Sequence, residues 1–128
     1  MKKFITAFLF LGVSVVAMGQ QHIKLKKKDR RRDIEMITTE GTIILRLSDS
    51  TPLHRDNFLR LVKTHYYDGT LFHRVINHFM IQGGDATSKT AKPGEPLGES
   101  DPGYTVPAEF RPGLFHKKRS LGSGAYRR

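Results

Sequence analysis

The sequence predicts a mainly β chain with a single amphipathic helix, and three observations lead there. Two runs that alternate or are rich in β-branched residues flank Glu40-Gly41. Two further short apolar runs flank Asn77-His78, and between these pairs lies one segment with apolar residues at helical spacing. At 128 residues, with 38% hydrophobic and 9% aromatic side chains, the chain has room for one packed domain and none for a second.

The elements follow in order. Asp33 to Thr39 alternates polar and apolar residues, Glu40-Gly41 breaks it, and Thr42-Ile43-Ile44-Leu45-Arg46-Leu47 resumes, which predicts an antiparallel hairpin. Ser48 to Ser50 reads as a loop. Thr51-Pro52 is an N-cap followed by proline at the first helical position, and Phe58, Leu61 and Val62 fall at i, i+3 and i+4, predicting a helix from Pro52 to about His65 with one core face. This helix and the hairpin are expected to bury against each other. Asp68-Gly69 marks a turn, Leu71 to Ile76 a strand, and Phe79 to Gln82 a second strand closed by Gly83-Gly84-Asp85. From Ala86 to Gly103 the chain is punctuated by proline and glycine and reads as a long loop, a length that is usually functional or mobile. Tyr104 to Phe110 is expected to be one more strand, confined to an edge or bulge by Pro107.

The amino terminus has the three parts of a secretory leader. Lys2 and Lys3 precede an apolar run from Phe4 to Ala17, with small residues at Ala17 and Gly19, so 1–19 is expected to be a signal peptide cleaved before Gln20. The run falls short of the roughly 20 apolar residues of a membrane span, leaving an uncleaved anchor or a buried helix as alternatives. No cysteine is present, which excludes disulfides and a lipid-modified cysteine at the cleavage site. The mean hydropathy of −0.44 argues against an integral membrane protein. The mature chain is expected in the periplasm or another extracytoplasmic compartment.

The net charge is +10, and much of it lies between Lys24 and Arg32, where seven basic residues face Asp29 alone. Such a run could grip phosphates, but no aromatic is interleaved to stack on bases, and nucleic acid is not expected as a partner. Residues 20–32 read as a solvated basic linker, with a weak contact to an anionic membrane surface as the second reading. Neither a Walker loop nor a dinucleotide fingerprint is present. His73 and His78 lack carboxylate or cysteine partners at ligand spacing, so neither metal nor cofactor is expected.

An ordered series of motifs spans more than fifty residues: Asn57-Phe58, Tyr67-Asp68-Gly69-Thr70, Phe72-His73-Arg74-Val75-Ile76, Phe79-Met80-Ile81-Gln82-Gly83-Gly84-Asp85 and Pro107-Ala108-Glu109-Phe110. In this it resembles the cyclophilin family of peptidyl-prolyl isomerases. The likeness runs over 33–118 and implies a cyclophilin-like eight-stranded antiparallel β-barrel with capping helices, of which the segment at Pro52 is the first. Only the amino-terminal half is expected here.

The resemblance implies catalysed rotation about the bond before proline, which resists rotation by roughly 18–20 kcal/mol because the nitrogen lone pair is delocalised into the carbonyl. A catalyst must favour the twisted state, in which that nitrogen regains its lone pair, by placing a donor near it and a dry pocket around the ring. Arginine suits the task because it stays charged and offers several fixed donors. Arg74 matches the family's catalytic arginine, Phe79 and Met80 match walls of the proline pocket, and Gln82 matches the residue that hydrogen-bonds the substrate backbone. In the bare sequence, Arg74 reads equally as an exposed strand arginine, Phe79 and Met80 as plain core, and Gln82 as edge-strand polarity. Phe72 and His73 are expected to pack and orient. The implied substrates are proline-containing unfolded or extended polypeptides, with no cofactor, in the folding of exported proteins.

Two departures from the family pattern stand out. Asn77-His78 replaces the usual proline and glycine, and Asn77 is expected to take the left-handed geometry of that turn. After Lys118 the chain reads Arg119-Ser120-Leu121-Gly122-Ser123-Gly124-Ala125-Tyr126-Arg127-Arg128, where the family carries a glycine-led apolar strand. Codons for this tail can be chosen so that a reading displaced by one base gives Gly-Ala-Leu-Ala-Ala-Ala-Arg-Thr, so 119–128 is expected to be frameshifted; a genuine short, divergent protein is the alternative. A barrel without its later strands leaves edges and apolar faces open. Two other readings therefore stand beside the enzyme: a non-catalytic remnant and a chain-binding module.

Overall fold

The computed structural model describes residues 23–100, 102–118 and 120–122. The expected leader, the first residues of the basic segment and most of the expected frameshifted tail lie outside the described residues.

The described chain is mainly β with few helices. A 3-10 turn at Asp29–Arg31 leads into strands β1 (Ile34–Thr38) and β2 (Gly41–Leu45), then helix α1 (Pro52–Lys63), strands β3 (Phe72–Ile76) and β4 (Met80–Gly83), and a second 3-10 turn at Ala86–Lys89. The strands form two separate two-stranded antiparallel sheets, β1–β2 and β3–β4, and no barrel closes among the described residues. Both predicted hairpins are present. In the first, Ile34 pairs Leu45 and Thr38 pairs Gly41, whose φ of +128° suits glycine at the turn.

Helix α1 starts where Thr51-Pro52 predicts, but the Thr51 side chain makes no capping hydrogen bond. Its carboxyl end closes with Tyr66 N–H donating to the Leu61 carbonyl and His65 N–H to that of Val62, with His65 at φ +58°. This is the double-bonded Schellman stop, with histidine where glycine is the usual choice. The buried apolar residue of the helix is Leu59, 6% exposed; Phe58, Leu61 and Val62, the expected core face, are half-buried. The reason is what covers the helix. Its closest packed partner is the Asp29–Arg31 turn, with Ile34 reaching the same groove as Leu59 and Val62.

Two ion pairs tie the basic segment to α1. Arg30 grips Asp56 with Nε and Nη2, the shorter contact being 2.7 Å, and Lys63 Nζ reaches Asp29 Oδ2 at 2.8 Å. Lys24, Lys26, Lys27, Lys28, Arg31 and Arg32 stay exposed.

Two further expectations are corrected. Tyr104 to Phe110 forms no strand: Pro107 has no N–H to give a ladder, and the segment attaches to α1 through side chains instead, Tyr104 Oη donating to Asn57 Oδ1 at 2.5 Å and Glu109 reaching the amino end of α1. In the β3–β4 connection it is His78, at φ +58°, and not Asn77 that is left-handed. The turn is closed by Phe79 N–H donating to the Ile76 carbonyl, and His78 holds its second central position, where a type II turn requires positive φ.

Candidate functional site

The β3–β4 hairpin carries the site. Arg74 pairs Gln82, Val75 pairs Ile81 and Ile76 pairs Met80, whereas Phe72 pairs Gly83, so β3 holds one extra residue between Phe72 and Arg74. That residue is His73. Directly paired residues share a face, so Arg74, Gln82, Ile76 and Met80 lie on one side of the hairpin, and Phe72 lies with Val75 and Ile81 on the other. The β-bulge thus separates Phe72 from Arg74, which regular alternation would put together. It also lets the neighbours His73 and Arg74 border one cleft.

That cleft, of about 260 Å³, is lined by His73, Arg74, Gln82, Leu97 and Gly98. Arg30, Arg46, Arg55 and Arg111 each have a partner, but Arg74 carries no hydrogen bond or ion pair among the described residues. Its guanidinium donors, and the Gln82 amide across the ladder, are therefore free to meet a ligand. His73 differs: both ring nitrogens are buried with no hydrogen-bond partner among the described residues, and its Nε2 lies 3.2 Å from where a Cβ on Gly98 would sit. It serves as packing beneath the loop.

The structure brings together two of the four expected site residues. Arg74 and Gln82 line the cleft, while Phe79 sits in the β3–β4 turn, 79% exposed, and Met80 is paired with Ile76 two rungs along the ladder from the Arg74–Gln82 pair. Leu97 and Gly98 are lining residues that no motif singled out, because they come from the long irregular loop, where no period marks a facing side chain.

The loop is held by Asp85, 3% exposed. Its carboxylate accepts from Thr87 N–H at 2.8 Å, Thr87 Oγ1 at 2.6 Å, Ser100 Oγ at 2.5 Å and Gly98 N–H at 2.5 Å. The hydroxyls of Ser100 and Thr87, with the Gly98 amide, outweigh burial and hold this carboxyl well below the usual carboxylate range. Behind the site, Tyr67 stacks on Phe58 with ring centres 5.0 Å apart, and burial pushes its phenol up to about 12. A Cβ on Gly84, at φ +94°, would come within 3.2 Å of the Tyr67 ring.

Residues 33–127 match the family described as Cyclophilin type peptidyl-prolyl cis-trans isomerase/CLD. Among curated proteins, the chain is 42% identical over 105 residues to peptidyl-prolyl cis-trans isomerase-like 2 of Rhizopus delemar, covering 81% of this chain and 18% of that protein. It is 51% identical over 55 residues to peptidyl-prolyl cis-trans isomerase cyp18 of Streptomyces antibioticus, covering 42% of this chain and 33% of the relative. With peptidyl-prolyl cis-trans isomerase-like 1 of Gibberella zeae it shares 41% identity over 85 residues, 66% of this chain and 49% of the relative. The chain thus spans half or less of the length of these relatives. No solved structure matches. With the match extending over most of the chain and the hairpin presenting Arg74 beside Gln82, this chain belongs to the cyclophilin-type peptidyl-prolyl cis-trans isomerase family.

Proposed function

We propose that the chain catalyses peptidyl-prolyl cis-trans isomerisation on extended, proline-containing polypeptides during the folding of exported proteins. The observation that carries this reading is the pairing of Arg74, unpartnered among the described residues, with Gln82 on one face of the hairpin, both bordering the same cleft. Gln82 holds the peptide backbone. The Arg74 guanidinium donates to the proline nitrogen as the bond twists and the lone pair localises, an interaction stronger in the twisted state than in either planar one. No bond to the enzyme forms and no proton changes place. The leader-like Lys2 and Lys3 with the apolar run behind them support export. The exposed lysines and arginines between Lys24 and Arg32 suit a weak contact with an anionic membrane surface.

The test is NMR exchange spectroscopy on a proline tetrapeptide with the full chain, Arg74→Ala and Arg74→Lys. Wild type is expected to accelerate exchange. Arg74→Ala is expected to lose on the order of a hundredfold or more, as for removal of one oriented electrostatic donor, and lysine to restore little of it because it lacks the planar fork. Equal rates for wild type and Arg74→Ala would refute the reading. A second reading, a chain-binding module without catalysis, is favoured by exposed apolar residues such as Ile37 at 78% and Phe110 at 92%. It predicts peptide binding that Arg74→Ala leaves unchanged.

A further inference from the structure

Asp85 is a buried charged residue, and its partners lie far outside its own turn. Capping the Ala86–Lys89 turn needs only Thr87, whose N–H it accepts. Yet Oδ2 is given to the Gly98 amide, 13 residues on, and Oδ1 is shared with the Ser100 hydroxyl, 15 residues on. The Ser100 oxygen in turn accepts Ala86 N–H at 3.1 Å. On its other side, the Asp85 carbonyl accepts the Ser88 hydroxyl at 2.5 Å, and Ser88 Oγ accepts Leu71 N–H at 2.9 Å, beside the first residue of β3. A continuous set of hydrogen bonds therefore runs from the root of the β3–β4 hairpin, through Asp85, to the loop that forms the opposite wall of the cleft. Gly98 fits because its φ of +103° and its closeness to His73 exclude a side chain.

We propose that Asp85 is a positioning residue for the cleft: its carboxylate draws 97–100 back onto the hairpin and sets the Leu97–Gly98 wall opposite Arg74 and Gln82. It thereby governs how tightly the chain flanking the proline is held. The charge matters because only an ionised carboxylate accepts from all four donors at once; asparagine has one oxygen to offer and turns an NH2 toward a donor. Because Arg74 stands on β3 and is not reached by these bonds, the effect falls on binding and not on the twisting step.

The effect on turnover rests on the proposed isomerase reading; the clip itself does not. Hydrogen exchange of backbone amides and steady-state isomerisation of a proline tetrapeptide are measured on the full chain, Asp85→Asn and Ser100→Ala. In Asp85→Asn, Gly98 amide exchange is expected to rise roughly tenfold or more beyond any rise at Leu59 in α1, and KM to rise about tenfold with kcat within about threefold, the signature of lost uniform binding. Ser100→Ala, which removes one donor, is expected to show a smaller shift of the same kind and serves if Asp85→Asn does not fold. Unchanged Gly98 exchange, a rise shared equally by Leu59, or a fall in kcat at constant KM overturns the proposal. If wild type shows no isomerisation, the functional reading fails, and the Gly98 exchange decides the proposal alone: a selective rise upholds the clip and no rise refutes it.

Discussion

Glu109 meets His54 twice at the amino end of α1: Oε2 accepts the His54 backbone N–H at 2.9 Å and lies 2.8 Å from His54 Nδ1, while Oε1 accepts Leu53 N–H at 3.1 Å. A carboxylate 55 residues away, with a side chain 4% exposed, thus does what the adjacent Thr51 does not. Burial raises this carboxyl, and the two backbone N–H groups with the His54 ring outweigh it, leaving it below its ordinary value.

Replacing Glu109 by alanine leaves the Leu53 and His54 amides without their acceptor and is expected to lower the urea midpoint, as loss of a helix cap does. Thr51→Ala is expected to change stability little, since its side chain makes no capping bond. Urea melts followed by circular dichroism compare the two. If Thr51→Ala has the larger effect, the long-range cap is wrong.

His65 holds the left-handed position that ends α1, at φ +58°. His65→Gly is expected to raise the unfolding midpoint, contributing about 1 kcal/mol because glycine takes that conformation without a steric penalty. Loss of the 2.7 Å contact between His65 Nδ1 and Asp68, both well exposed, subtracts little from this. A lower midpoint at constant urea dependence would refute it.

Two aspartates, one on α1 and one beneath the cleft, contribute to the acid limb of stability. The Arg30 hydrogen bond, with that of Arg55, lowers Asp56 against opposing burial, and the network described above lowers Asp85. A carboxyl lowered on folding binds fewer protons in the folded chain. Its contribution is therefore complete above its ordinary value of 3.8 and fades as pH falls below that toward the folded value. Thermal melts are expected to be flat in midpoint from about pH 7 to 5 and to drop from about pH 4 downward. Asp85→Asn should lower the midpoint at neutral pH and make the acid drop shallower. An undiminished acid drop in that variant would show that Asp85 does not contribute to it.

Gly83 faces the Phe72 ring: a Cβ there would come within 3.0 Å of the ring and 3.2 Å of the Leu71 carbonyl. Gly83→Ala is expected to destabilise by about 1–3 kcal/mol, as overpacking does. Phe72→Leu in the same chain should recover part of that, so a double-mutant cycle gives a favourable coupling. Strict additivity would mean that ring and glycine do not press on each other.

What was legible in the chain was whatever has a local period or a local turn. The hairpin around Glu40-Gly41, the helix from Pro52 and the hairpin around Asn77-His78 all announce themselves within a dozen residues. Tyr104 to Phe110 reads like a strand because an extended chain alternates whether or not another strand pairs with it. The depth of Leu59 depends on the turn that packs over α1, and the Glu109 cap and the Asp85 clip join residues 13 to 56 apart. Neither kind of relationship leaves a local pattern. Of the residues that line the cleft, Arg74 and Gln82 stand out in the motif series, whereas Leu97 and Gly98 do not, since a loop without period gives no facing side.

The extra residue in β3 has a consequence for how this stretch of chain tolerates change in length. Alternation makes every strand position a choice between two sides, and His73 reverses that choice midway. Deleting a single residue at this point would restore regular alternation and carry Phe72 and the chain before it to the opposite side of the hairpin, with Gly83 left facing no ring. Length at this point therefore acts as a parity setting: substitutions can be absorbed one by one, but a one-residue insertion or deletion between Phe72 and Arg74 exchanges one face of the hairpin for the other along the approach to the cleft.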